Sequence, residues 1–337
     1  MTPSATGQGP EAISLLGQPL YRPAVAPDAL PALEHNLAQA RAAHEAAPAD
    51  ADALIWLGRR TAYLGRYRDA IEVFSRAIEM HTRDARAYRH RGHRYITVRE
   101  LDRAIRDLET AASLVRGQPD EIEPDGAPNR FGVPRSTLHS NIWYHLALAR
   151  YLQHDFQRAL PAWTEAVRVS TNDDMLVASA DWLYMTYRRL GRDADAAALL
   201  ERIHPEMEIL ENDAYHRRLL MYKGLIPPDS LLRIDSADPV QVATYGYGVG
   251  NWYLYNGQRE RAEEIFRRIL ESPNWAAFGY IAAETELSRS GRGGDRGARR
   301  SRRIYRRRSF RRRASTCSSR LLQTTSQRRK IAGSAIR

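Results

Sequence analysis

Residues 54–77 read LIWLGRRTAYLGRYRDAIEVFSRA, and residues 88–111 read YRHRGHRYITVRELDRAIRDLETA. Set 34 positions apart, the two stretches register: Gly92 falls on Gly58, Ala104 on Ala70, Leu108 on Phe74 and Ala111 on Ala77. A fixed stride of this length predicts stacked copies of one supersecondary unit, each too small to bury its own apolar face. The small residues Gly58, Ala70 and Ala77 are expected where the two helices of a unit press together. Gly65 is expected in the turn between them, in the left-handed conformation that caps the first helix.

The order of residue types resembles the tetratricopeptide repeat (TPR) family: an apolar or aromatic residue, leucine and glycine, tyrosine, then alanine, phenylalanine and alanine. The resemblance is strong over residues 51–118 and weaker beyond. It implies an all-α fold, a right-handed superhelical solenoid of antiparallel helix pairs. Units start near residues 51, 85, 140, 177, 211 and 243. The third carries Trp143, Leu146, Ala147, Phe156, Ala159, Trp163 and Ala166, the fourth Tyr184, Tyr187, Gly191, Ala196 and Leu200, and the sixth Gly250, Tyr253, Gly257, Ala262, Phe266 and Ile269. The fifth keeps a first helix through Tyr222, but Pro227 and Pro228 reduce its second to a short turn at Asp229–Arg233. Leu30, Leu33, Leu37 and Ala40 make one amphipathic helix ending at Pro48, a half-unit serving as an N-terminal lid. Trp275–Leu287 reads as the first helix of a seventh unit whose partner never appears.

The chain therefore divides into an irregular segment (1–27), a solenoid (28–288) and a basic tail (289–337). The solenoid carries an inserted loop at 117–139, with four prolines and three glycines. That is too long for an ordinary connection. Insertions in repeat proteins fall on the binding face, which favours a loop folded back with Asn129, Arg130 and Phe131 near the groove over a disordered bulge. Pro161, inside a helical stretch, is expected to kink its helix or delay its start.

The net charge of +11 belongs to the tail: residues 289–337 hold 17 Arg and one Lys against one acid, a charge of +17, and leave −6 on the rest. The tail lacks apolar periodicity and is expected to be disordered. Its arginine runs with Tyr305 and Phe310 offer a route to nucleic acid or another polyanion. A competing origin is a frameshift in a GC-rich gene, since residues 1–288 hold one Lys against 32 Arg. The single cysteine, Cys317, excludes a disulfide framework and a Cys-based metal site. Met1–Gln18 lacks a positive start and an apolar run of signal length, and no segment reaches membrane-span length, which predicts a cytoplasmic protein. A start placed downstream of a lost signal peptide would make it periplasmic or secreted.

Motifs for chemistry are weak. His90 and His93 share a helix face, but a third metal ligand is missing and Arg89, Arg91 and Arg94 repel a cation. Hydrogen-bonding histidines in the groove or between helices are the better reading. Asn172–Asp174 lacks the ligands and glycine of a calcium loop and reads as a helix cap through Asp173 or Asp174. Gly246, Gly248 and Gly250 lack the strand of a phosphate-binding turn. Gly250 takes the repeat's packing position. Ser136, Ser140 and Ser170 have no nucleophile context. No catalytic residue, metal or cofactor is expected, and the chain reads as non-enzymatic.

The family resemblance implies that the first helix of each unit lines a concave groove. Carried over by position, the wall comprises Asp52, Ile55, Arg59 and Ala62, then Arg86, Arg89, His93 and Ile96, then Asn141, Tyr144, Leu148 and Tyr151. Asp181, Met185 and Arg188 follow, with Tyr247, Asn251 and Leu254 last. Peptide contacts are expected at Arg59, Arg86, Arg89, His93, Asn141, Tyr144, Tyr151 and Asn251. Arg59, Arg86 and Arg89 together suit carboxylates, Asn141 a peptide backbone, and Tyr144 and Tyr151 flat apolar contact. Alternatively, the arginines pair with Asp52, Glu72 or Glu100. These features predict a scaffold binding an extended, acidic segment of another protein. The tail offers nucleic-acid binding as a rival, and a small-molecule or catalytic site under the 117–139 loop is a third reading.

Overall fold

The computed structural model describes residues 9–124, 126, 128–232 and 239–290. The chain divides into two units after Leu287. The first opens with a two-stranded antiparallel hairpin, β1 (Ala12–Ile13) and β2 (Pro19–Leu20), in which Ala12 faces Leu20. This short ladder lies within the stretch expected to be irregular. Helix α1 (Leu30–Ala46) follows, burying Leu37 and Ala40.

Helix pairs come next: α2 (Ala51–Tyr63) with α3 (Tyr67–Met80), α4 (Ala85–Thr97) with α5 (Leu101–Leu114), and α6 (Leu138–Leu152) with α7 (Phe156–Arg168). Then come α8 (Asp173–Arg189) with α9 (Asp193–Leu200), α10 (Asp213–Tyr222) with the five-residue α11 (Pro228–Leu232), and α12 (Pro239–Tyr255) with α13 (Arg259–Ile269). A last helix, α14, runs from residue 278 to the end of this unit.

Local chemistry sets the helix ends. Asp50, Asp84, Thr137, Asp155 and Asn172 accept first-turn backbone N–H bonds at five starts; such a cap contributes about 1 kcal/mol. In the fourth unit the cap is Asn172, one residue before the expected pair. Asp174 is instead fully buried and accepts from the backbone N–H groups of Leu210, Glu211 and Asn212 and from Arg135 Nε. The first helix of every pair ends at one left-handed residue: Gly65, Arg99, His154, Gly191, Gly224 and Gly257, with φ between 60° and 83°. Pro161 neither delays nor ends α7, which starts at Phe156 and runs to Arg168.

The pairs pack closely because the glycines leave room. A Cβ on Gly58 would overlap the Phe74 ring, one on Gly92 would lie 2.7 Å from Leu108, and one on Gly250 2.6 Å from Phe266. Gly246 and Gly248, unexplained by sequence, have the same role. Gly246 faces Ile269, and Gly248 makes space for the buried Arg218 side chain.

The solenoid closes on itself. Trp275 packs edge-on against Tyr67 of the first pair at 5.4 Å, and its Nε1 donates to the Tyr21 carbonyl at 2.8 Å. Arg99, in the α4–α5 turn, forms two 3.0 Å bonds to Glu284 of α14 with both side chains almost fully buried. The trough expected to be open is therefore occupied by α14, which sets Phe278 against His93 of α4 and His145 of α6 and Glu286 against Arg189 of α8 and Tyr247 of α12. Residues 288–290 are helical. Residues 291–337, with the expected disorder of the tail, lie outside the described residues.

Candidate functional site

The inner wall of the N-terminal half is built by α2, α4 and α6. Arg59 stacks over Trp56 at 4.4 Å and its Nη2 donates to the Pro124 carbonyl at 2.7 Å. Arg60, one position off the repeat's groove register, donates from Nη1 to the Gly126 carbonyl at 2.8 Å. Arg89, buried, forms an ion pair of 3.1 Å with Glu123. Asn141 Nδ2 donates to the same carboxylate at 3.1 Å and to Ser136 Oγ at 3.0 Å. The inserted loop does fold over the groove, but residues 121–124 and 126 occupy it. Asn129 holds Val133 O and Glu211 at the loop's outer end, and Arg130 stacks on a half-exposed Phe131.

The seated segment is extended. Ile122 bridges Thr137, the Glu123 N–H donates to Ser136 O at 3.0 Å, and the Leu138 N–H donates to Glu121 O at 2.9 Å. These bonds run to residues at the start of α6, so the loop and the wall hold each other in register. Periodicity gives no signal for Glu123, because insertions do not repeat.

Histidines floor this region. Arg89 Nη1 lies 2.9 Å from His90 Nδ1, and since guanidinium only donates, Nδ1 accepts and the proton sits on Nε2. That N–H faces Glu123 at 3.8 Å. His93 packs 4.3 Å from His145 and 5.3 Å from Phe278 of α14. Burial, reinforced by neighbouring arginines, holds His90, His93 and His145 well below the ordinary imidazole pKa and therefore neutral at pH 7. Among the described residues no cluster of three or more His, Cys, Asp or Glu is placed to hold a metal.

The other expected contacts lie elsewhere. Arg86 sits at the rim, paired with Asp84 at 2.7 Å and Asp52 at 2.6 Å, so one of the anticipated acidic partners takes it. The Tyr144 hydroxyl meets that of Tyr215 at 3.0 Å. Tyr151 and Asn251 are buried: Asn251 Nδ2 donates to Tyr151 Oη at 2.9 Å, and its Oδ1 accepts from Arg189, which also pairs with Glu286 of α14. Thus Arg59, Arg89 and Asn141 converge on one acidic segment with His93 beside them. Arg86, Tyr144, Tyr151 and Asn251 do not join that group.

No protein-family model matches the chain, and no curated protein does. Among solved structures, a tetratricopeptide repeat protein from Parabacteroides merdae is 15% identical over 77% of this chain and 95% of its own, at a TM-score of 0.45. YrrB, described as a TPR protein with an unusual peptide-binding site, is 17% identical over 74% of this chain and 97% of its own, at a TM-score of 0.40. TTC0263, a thermophilic TPR protein in Thermus thermophilus, is 17% identical over 71% of this chain and all of its own, at a TM-score of 0.37. No helix among the described residues is long and apolar enough to cross a membrane. The stride and the packing of the helix pairs, observed in the chain itself, make this a tetratricopeptide-repeat fold.

Proposed function

We propose that the protein is a non-enzymatic scaffold whose N-terminal inner wall binds an extended, acidic segment of another protein. One observation carries this reading: an extended acidic segment of the chain itself, residues 121–124, already lies there, with Gly126 beyond it. Arg59 and Arg60 hold its backbone carbonyls, and Arg89 and Asn141 hold its carboxylate. The wall is thus equipped for main-chain recognition plus one acid, an arrangement that suits a strand-like guest.

The internal segment sets the terms of entry. A short tether gives it an effective concentration on the order of millimolar. A guest with only the same contacts must exceed that concentration, so a physiological partner needs additional contacts. The rim beside the segment offers Ile55, Trp56 and Arg86 for them.

The test is fluorescence anisotropy of a labelled peptide with the sequence of residues 119–127. The unaltered chain is expected to bind it weakly. Glu123→Ala, which loosens the internal segment, is expected to bind it at least tenfold tighter. Adding Arg59→Gln and Arg60→Gln to that variant should remove binding. A peptide that binds none of the three proteins overturns the proposal.

A further inference from the structure

Between the loop and the wall remains a cleft of about 290 Å³, at the small end of the range for small-molecule sites. Four guanidinium groups line it, Arg59, Arg89, Arg94 and Arg135, against two carboxylates, Glu123 and Glu211. Three of the four are engaged: Arg59 with the Pro124 carbonyl, Arg89 with Glu123, and Arg135 with the buried Asp174. Arg94 is different. Its guanidinium lies over the Tyr67 ring, 5.4 Å from the centroid, and among the described residues no carboxylate or hydrogen-bond acceptor meets it. Burial, with the nearby Arg89 charge adding to it, lowers its pKa to about 10.

Arg94 is partly buried, and an anion entering beside a partly desolvated guanidinium that has no carboxylate partner gains a charge-assisted contact. The cleft also limits the size of such an anion. Phe74, His90 and His93 line it on the side of the wall. Glu123 and Pro124 roof it with Pro134, Arg135 and Ser136 of the same loop. We infer that this cleft binds a small-molecule anion, a carboxylate or a phosphate, with Arg94 as its main charge partner. This site goes beyond the scaffold reading and does not depend on it, because among the described residues no hydrogen bond or ion pair joins Arg94 to the seated segment.

The test is isothermal titration of the full chain, at fixed ionic strength, with inorganic phosphate and separately with succinate. Saturable binding of one per chain is expected for at least one probe, and the tighter of the two identifies the headgroup. Arg94→Gln is expected to weaken that probe at least tenfold, and Arg94→Lys to retain part of the affinity. Glu211→Gln, which removes a carboxylate from the lining, is expected to tighten it severalfold and decides the matter should Arg94→Gln fail to fold by circular dichroism. Absence of saturable binding by the unaltered chain overturns the inference, as does unchanged affinity in both Arg94→Gln and Glu211→Gln.

Discussion

Buried charge is concentrated at a few residues whose partners lie on different helices. Asp181 of α8 and Arg218 of α10 have essentially no solvent exposure and lie 2.6 Å apart, under Gly248 of α12. Neutralising one partner strands the other in a low-dielectric interior, so Asp181→Ala is expected to cost about 3–5 kcal/mol. Urea unfolding measures it, and a paired Asp181→Leu, Arg218→Met variant should recover much of the loss. The three neutral histidines act in the opposite sense to a paired acid. Their folded pKa values lie below the ordinary value of 6.5, so the unfolded chain takes up protons that the folded chain refuses. The histidine contribution to stability is therefore expected to be flat above about pH 6.5 and to fall below it, with each histidine adding a slope of at most about 1.4 kcal/mol per pH unit. Burial of Asp181, whose carboxyl is pushed up to about 7, opposes one of the three. Melting temperatures across pH 5–8 check this, and a melting temperature that rises on acidification would refute it. At this scale the sequence was legible where a residue repeats. Gly58, Gly92 and Gly250 could be placed against their neighbours by stride alone, whereas Gly248 could not, because nothing in the period announces an arginine across from it.

The turns show how one element position is given over to a second use. Four of the six left-handed turn residues are glycine, and the other two are Arg99 and His154. A side chain there costs roughly 1–2 kcal/mol. Both residues face carboxylates of α14: Arg99 is bonded twice to Glu284, and His154 Nε2 lies 3.5 Å from Glu286. The unfavourable backbone conformation thus coincides with the contacts that hold the last helix. Arg99→Gly should relieve the turn but leave Glu284 buried and unpaired, for a net loss of about 2 kcal/mol or more. Thermal unfolding tests it, and a stabilised variant would show that the turn residue contributes nothing beyond its strain. Helix pairs, the shortened α11 and the N-terminal α1 follow from patterning. Cap identity at Asn172 was missed because three consecutive capping residues compete, and burial of Asp174 under residues 210–212 decides among them.

Across the unit that ends at Leu287, curvature decides what the inner wall can do. Each pair adds a small rotation, and their sum sets whether the ends of the solenoid meet. Here they do, through Trp275 with Tyr67 and Glu284 with Arg99, and α14 lies in the groove against α4, α6 and α8. The inserted loop covers much of what is left. Binding is accordingly proposed at one half of the wall, with the peptide exchange and the anion titration reading separate residues of it. The stride of 34, the pairing of helices, the turn at Gly65 and the packing of Gly58, Gly92 and Gly250 were legible in the amino-acid sequence alone, because each depends on neighbours within a unit or one unit away. The closed trough, the seating of Glu123 against Arg89 and the lone charge of Arg94 were decided only by the tertiary structure. They arise from contacts between residues far apart in the chain, summed over several pairs, and such contacts leave no period to read.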